Sequence, residues 1–322
     1  MDMPKRLSWT ASEPLVRPFA RAGDVPYSVK DPTLVRDGVR WHMFCTVRSQ
    51  NRTHQIEHIS SDSLTDWSGA RREFLTCVDG YFCAPQVFYF RAHGLWYLVY
   101  QTHVDGRRLG LQPAYSTTSD IDDPSSWTAP RLFYPDDSLP TVERWIDFWV
   151  ICDDDRAHLF FTSLDGAMWR ADTDLASFPN AFGDARRVIH EAHDDWRLFE
   201  ASHTYRVEEN GTYITVVEGE DRRDGVRRYF MAYRAEALDG EWAPVATTPT
   251  EPFAGAANVS FIGDPWTGHI SHGEFVRSAP DETLPISTSD MRMMFQGVAH
   301  TDYAGKRYGD IPWRVGLLNP DW

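Results

Sequence analysis

The sequence predicts an all-β protein, a five-bladed β-propeller formed by residues 1–322 as a single domain. Three observations lead there. Short runs of β-branched and aromatic residues are frequent, while long helical periodicity is scarce. Several of these runs come in pairs joined by tight-turn residues. A second phrase follows each pair, so that a unit of roughly 50 to 60 residues recurs along the chain.

The hairpins are LVRDGVRWHMF, VFYFRAHGLWYLVY, WVICDDDRAHLFFTS and TYRVEENGTYITVVE. Asp37-Gly38 and Asn210-Gly211 supply the turn chemistry in two of them, because glycine tolerates positive φ. His93-Gly94 and Asp154-Asp155 stand in the equivalent places of the others. The second phrase reads HISSDSLTDW, AYSTTSDIDDPSSW, MWRADTDLASFP and AYRAEALDGEW. In each, a strand of small polar residues enters an acidic loop that closes on an aromatic residue: Trp67, Trp127, Phe178 or Trp242. A fifth, weaker unit covers residues 258–300. One such sheet cannot bury both faces, so neighbouring units must stack around an axis. Two β-sandwich domains are the alternative, but they give no reason for the repeated phrase.

Composition narrows the function. The 322 residues are 42% hydrophobic and 25% charged, ordinary for a globular chain, with an aromatic share of 14% that includes 13 Trp. Such aromatics serve either a β-sheet core or a sugar-binding face. A formal net charge of −15 argues against nucleic acid and against an anionic membrane surface, and favours a neutral substrate. Cys45, Cys77, Cys83 and Cys152 form no metal-binding pattern and read as buried thiols, although Cys77 and Cys83 could pair in an oxidising compartment. No run is long enough for a transmembrane helix, and MDMPKRLSWTASEP lacks the apolar core of a signal peptide. The expectation is a cytoplasmic protein or a mature secreted one.

In a propeller the first strand of each blade lines the central channel, so residues at its entrance crowd the axis. The segments opening the five units are VKDP, CAPQ, WIDFW, LFEAS and ISHG. Three of them carry an acid there, Asp31, Asp147 and Glu200, and one carries His272. Taken singly, each has a structural explanation. Asp before Pro often starts a turn, and a buried acid usually pairs with Arg or backbone donors. Three acids converging on one mouth are different, since like charges repel and need a reason to be held together.

Paired carboxylates facing a neutral ligand are the equipment of glycoside hydrolysis. Lys30, one of only three lysines with Lys5 and Lys306, favours an ionised Asp31 and hence a basic role. Glu200, set between Leu198-Phe199 and Ala201, suits a protonated donor, and Asp147 would help retain its proton. No GxGxxG, P-loop or GxSxG motif offers a rival chemistry. The segment HEAHDD is not HExxH and reads as a polar loop, as DDD at 153–155 reads as a solvated turn.

The phrases VKDPTLV, APQVFYF, LWYLVYQT, WIDFWVICD, LFEAS, LDGEW, EPFAG, ISHGE and YGDIPWR, in this order along essentially the whole chain, resemble the α-L-arabinofuranosidases of glycoside hydrolase family 62. The resemblance implies a five-bladed propeller that removes single arabinofuranosyl branches from arabinoxylan with inversion. It implies Asp31 as general base, Glu200 as general acid and Asp147 as the residue that tunes and orients the acid. Lys30, Arg228 and Tyr308 fall in phrases that line the sugar pocket, and Phe148, beside Asp147, is placed with them. His272 corresponds to a histidine near an axial metal, usually calcium, which prefers oxygen and would take most of its shell from water. The family implies an extracellular enzyme, and nothing demands more than a monomer.

His203 and Gly309 depart from the family pattern, 219–227 is unusually charged, and Ser287 and Ser289 lie where relatives often carry a cysteine. Two rivals follow from the same residues: another pentoside-active propeller hydrolase, acting on a β-xyloside or linear arabinan, and a sugar-binding propeller without catalysis.

Overall fold

Pro26–Arg36 and Trp41–Ser49 pair antiparallel across the Asp37-Gly38 turn. Gly38 takes φ 102°, and the Asp37 carboxylate accepts the amides of Val39 and Arg40 at 2.8 and 2.7 Å. Gln55–Ser61 and Arg71–Phe74 extend the sheet outward, completing the first blade. The same four-strand meander repeats from Phe82–Phe90, from Ile146–Cys152 and from Trp196–Val207. The computed structural model describes residues 6–136 and 140–322, so Lys5 lies outside the described residues. They form five sheets arranged as a β-propeller, with Pro285–Ile286 and Glu251–Pro252 adding edge strands to the fourth.

The fifth blade differs from the sequence expectation. Its inner strands are Ser271–Phe275 and Met293–Gly297, but it continues with Arg314–Pro320 and then Trp9–Ala11 from the other end of the chain. Val259–Phe261 pairs parallel with Trp9–Ala11 at the outer edge. A ring must close on itself, and a unit assembled from both ends cannot appear as one continuous sequence window.

The recurring aromatic has a physical job. Each lies between the third and fourth strands of its blade and packs onto the blade before it. Trp127 meets Phe44 edge-on at 5.6 Å, Phe178 meets Phe90 at 4.7 Å, and Trp242 meets Phe160 at 6.1 Å. Trp67 completes the series in a hydrophobic cluster that includes Met294, Val315 and Leu317 of the fifth blade. Aromatic pairs of this kind contribute about 0.5–1.5 kcal/mol each beyond their buried area. The four cysteines are free thiols, three of them buried.

Candidate active site

Every inner strand is kinked at one residue. Asp31, Ala84, Asp147, Ala201 and His272 take φ of 52°, 51°, 55°, 56° and 22°, one in each blade. The ladder to the second strand shifts register at each of them. A non-glycine residue in this region costs about 1–3 kcal/mol. Bulges also re-aim side chains, and here they turn the opening residues toward the axis.

The kinks correct the sequence alignment of the acids. Asp31, Asp147 and His272 occupy the kinked position itself, but in the fourth blade Ala201 does. Glu200 stands one residue earlier, in step with Lys30, Cys83, Ile146 and Ser271. The acids still converge. All three are buried, and the Ala201 amide donates to Asp147 Oδ2 at 3.2 Å. His272 Nδ1 lies 3.6 Å from Asp31 Oδ1 and 3.8 Å from Asp147 Oδ2.

Their environments push them apart in acidity. Burial would raise Asp31, but Lys30 Nζ at 3.0 Å, His272 and a hydrogen bond from Thr46 together outweigh it and hold the carboxyl at about 2. Glu200 is raised by burial and by the charge of Asp31, against the opposing pull of Arg228 and Lys30. Asp147 is raised by burial, then by Glu200 and Asp31. Burial lowers His272 to about 4, leaving its imidazole neutral. One carboxyl is thus held low while two neighbours are pushed up, the direction of split that acid–base chemistry uses.

Beside Glu200 lies a pocket of about 350 Å³, lined by Ile146, Phe199, Glu200, Arg228, Tyr303 and Tyr308 among others. Tyr308 donates its hydroxyl to Glu200 Oε1 at 3.0 Å, and Lys30 Nζ lies 5.0 Å from the Tyr308 ring centroid. The Arg228 guanidinium stacks 3.9 Å over Phe199, donates to the Tyr303 hydroxyl at 3.1 Å and pairs with Glu218 at 3.3 Å. A larger groove along Pro244–Thr248 holds no converging acids.

Phe148 does not join them. Its ring packs on Trp145 and Phe161 within the core, at 5.2 and 6.0 Å, while Ile146 faces the pocket. The kink at Asp147 breaks the alternation that would have put both on one face. Tyr303 was not foreseen because it lies in the one-turn helix His300–Tyr303, outside the repeat. Both sequence departures have structural correlates. His203 is buried, stacked 4.1 Å from Trp149, and donates to the Gly273 carbonyl. At Gly309, Arg48 occupies the space that a side chain would need. In HEAHDD, His193 pairs with Glu191 at 2.8 Å, and among the described residues no third metal ligand joins them.

Buried carboxyls of opposed acidity gathered in one site are the equipment that glycoside hydrolysis uses. The family model described as glycosyl hydrolase family 62 matches residues 8–319, and the chain belongs to that family. It is 33% identical over 317 residues to α-L-arabinofuranosidase C of Cellvibrio japonicus, covering 97% of this chain and 47% of that protein. The chain thus spans about half the length of this curated relative. The catalytic domain of a family 62 α-L-arabinofuranosidase from Coprinopsis cinerea superposes with a TM-score of 0.88 at 35% identity, covering 99% of this chain and 98% of the other. A family 62 hydrolase solved with xylotriose gives a TM-score of 0.86 at 34% identity, over 97% and 96% of the two chains.

Proposed function

We propose that this chain is an inverting α-L-arabinofuranosidase that removes single arabinofuranosyl branches from arabinoxylan. The observation that carries the reading is the opposed acidity within one mouth: Asp31 ionised against Lys30, Glu200 raised by burial and by Asp31. Asp31 takes a proton from water as the water oxygen bonds to the anomeric carbon. The bond from that carbon to the xylan oxygen breaks, and Glu200 gives its proton to the departing oxygen. Asp147, bonded to the amide that follows Glu200, holds the acid in place and helps it keep its proton. Arg228, Tyr308 and Lys30 surround the sugar.

His272, neutral and next to two carboxylates, fits a calcium ion whose remaining ligands are water. Such an ion would supply positive charge at the axis and tie the fifth blade to the others. A polymeric substrate fits an enzyme outside the cell, and a single chain that carries every group the proposed reaction uses is compatible with a monomer acting on the arabinoxylan chain or its oligosaccharides.

The test is to follow sugar release from wheat arabinoxylan by NMR from the first turnovers. Free arabinose appearing first as the inverted anomer is expected, with Asp31→Asn and Glu200→Gln each folded and slower by at least about 10³-fold. Retained stereochemistry would overturn the single displacement. Xylose, or fragments from debranched arabinan instead of arabinose, would transfer the protein to the neighbouring pentoside chemistries.

A further inference from the structure

The five kinks share a second feature, which rests on main-chain amides rather than acids. Opposite the residue that precedes each kink, the second strand carries Thr46, Gln101, Thr162, Glu218 or Gln296. Four of these five reach across to the next blade and accept the amide of its kinked residue. Thr46 accepts from Ala84 at 2.9 Å, Gln101 from Asp147 at 3.2 Å, Glu218 from His272 at 2.9 Å and Gln296 from Asp31 at 2.7 Å. At the junction of the third and fourth blades the pattern breaks. Asp147 Oδ2 takes the Ala201 amide, and the buried Thr162 hydroxyl is left without a partner.

We propose that Gln296 is a positioning residue for Asp31, and Gln101 for Asp147, each acting through the backbone amide that it caps. An unpaired buried amide is unfavourable, and the left-handed backbone adds a strain of its own. Without its cap the kink has no reason to persist. The strand then straightens or admits water, and the carboxylate aimed by the kink moves. Gln296 is itself fully buried and anchored, since its amide nitrogen donates to the Ser271 hydroxyl at 3.0 Å. It touches neither carboxylate in the hydrogen-bond network, so its influence on chemistry passes through the Asp31 main chain.

The inference rests on the glycosidase reading, and the experiment separates the two. Gln296→Thr and Gln296→Val have the same shape and differ by one acceptor, which Thr46 uses at the equivalent position. On arabinoxylan, Gln296→Val should lose about 10²-fold in kcat with KM within about threefold, the penalty of an ångström-scale misplacement. Gln296→Thr should recover at least about tenfold of that loss. Gln86→Met is the control. The Gln86 amide makes two equally buried bonds to Val150, at 2.6 and 2.7 Å, and caps the amide of no kinked residue. It should lower Tm yet leave kcat unchanged.

Equal kcat for the Thr and Val variants overturns the proposal, as does a Gln86→Met loss of kcat matching that of Gln296→Val. Should Gln296→Val not fold, the Gln101→Thr and Gln101→Val pair makes the same comparison at Asp147 and decides it. A wild-type enzyme that releases no arabinose would instead remove the glycosidase reading.

Discussion

Lys30 and Asp31 are the most consequential neighbours in the chain. A buried ion pair contributes little net stability, because the desolvation of both ions offsets their attraction. Its value here is chemical: it holds Asp31 at about 2 while burial favours the protonated form of Glu200, the split that the proposed base and acid need. Tyr308 works against that protonation, since its hydroxyl bond to Glu200 favours the ionised carboxylate. Tyr308→Phe should therefore raise the Glu200 pKa. The proposed mechanism needs the protonated acid and fails as pH rises through that pKa, so the alkaline limb of the kcat profile should move upward, by about one to two units for one hydrogen bond to a charge. A limb that stays in place or moves down would show that this bond does not reach the titrating acid.

The kinked inner strand makes the site at the level of the element, and it marks where reading from sequence stops. Asp31, Asp147 and His272 could be found because each opens a recognisable unit. Glu200 was found as well, but one residue out of step, since a bulge inserts a residue without any composition that announces it. The same bulge sent Phe148 into the core and Ile146 to the pocket. Glu218, on the second strand opposite Glu200, is another oddity, an acid where two blades use glutamine. Burial and the nearby Glu200 push it up to about 8, against about 4.3 in an unfolded chain. The folded state therefore keeps a proton that the unfolded chain sheds. That stability is complete below pH ~4.3 and is lost as pH rises toward 8. Glu218→Gln keeps an acceptor for the His272 amide but cannot titrate. Its Tm relative to wild type should improve steadily between about pH 5 and pH 8. Parallel Tm curves would refute the assignment.

For the whole molecule, the ring was legible because its parts repeat, and the wedge aromatics Trp67, Trp127, Phe178 and Trp242 wrote the period into the sequence. The closure was not legible. Trp9–Ala11 and Arg314–Pro320 pair across about 300 residues of sequence, and nothing in either segment names the other. The junction is well made: Trp9 is fully buried, its indole donates to the Phe253 carbonyl at 2.6 Å, and the Asp321 amide donates to the Ser8 carbonyl at 3.1 Å. Topologically, then, the ring of blades is a circle with a nick between Trp9–Ala11 and Arg314–Pro320, and the nick is one position among several that the architecture would accept. Joining the two ends through a short glycine-rich bridge and reopening the chain at the exposed Asp37-Gly38 turn should give a circular permutant that folds and turns over substrate at the parental rate. A permutant that aggregates, while the same bridge in an uncut chain is harmless, would mean that the order of synthesis matters as much as the finished circuit.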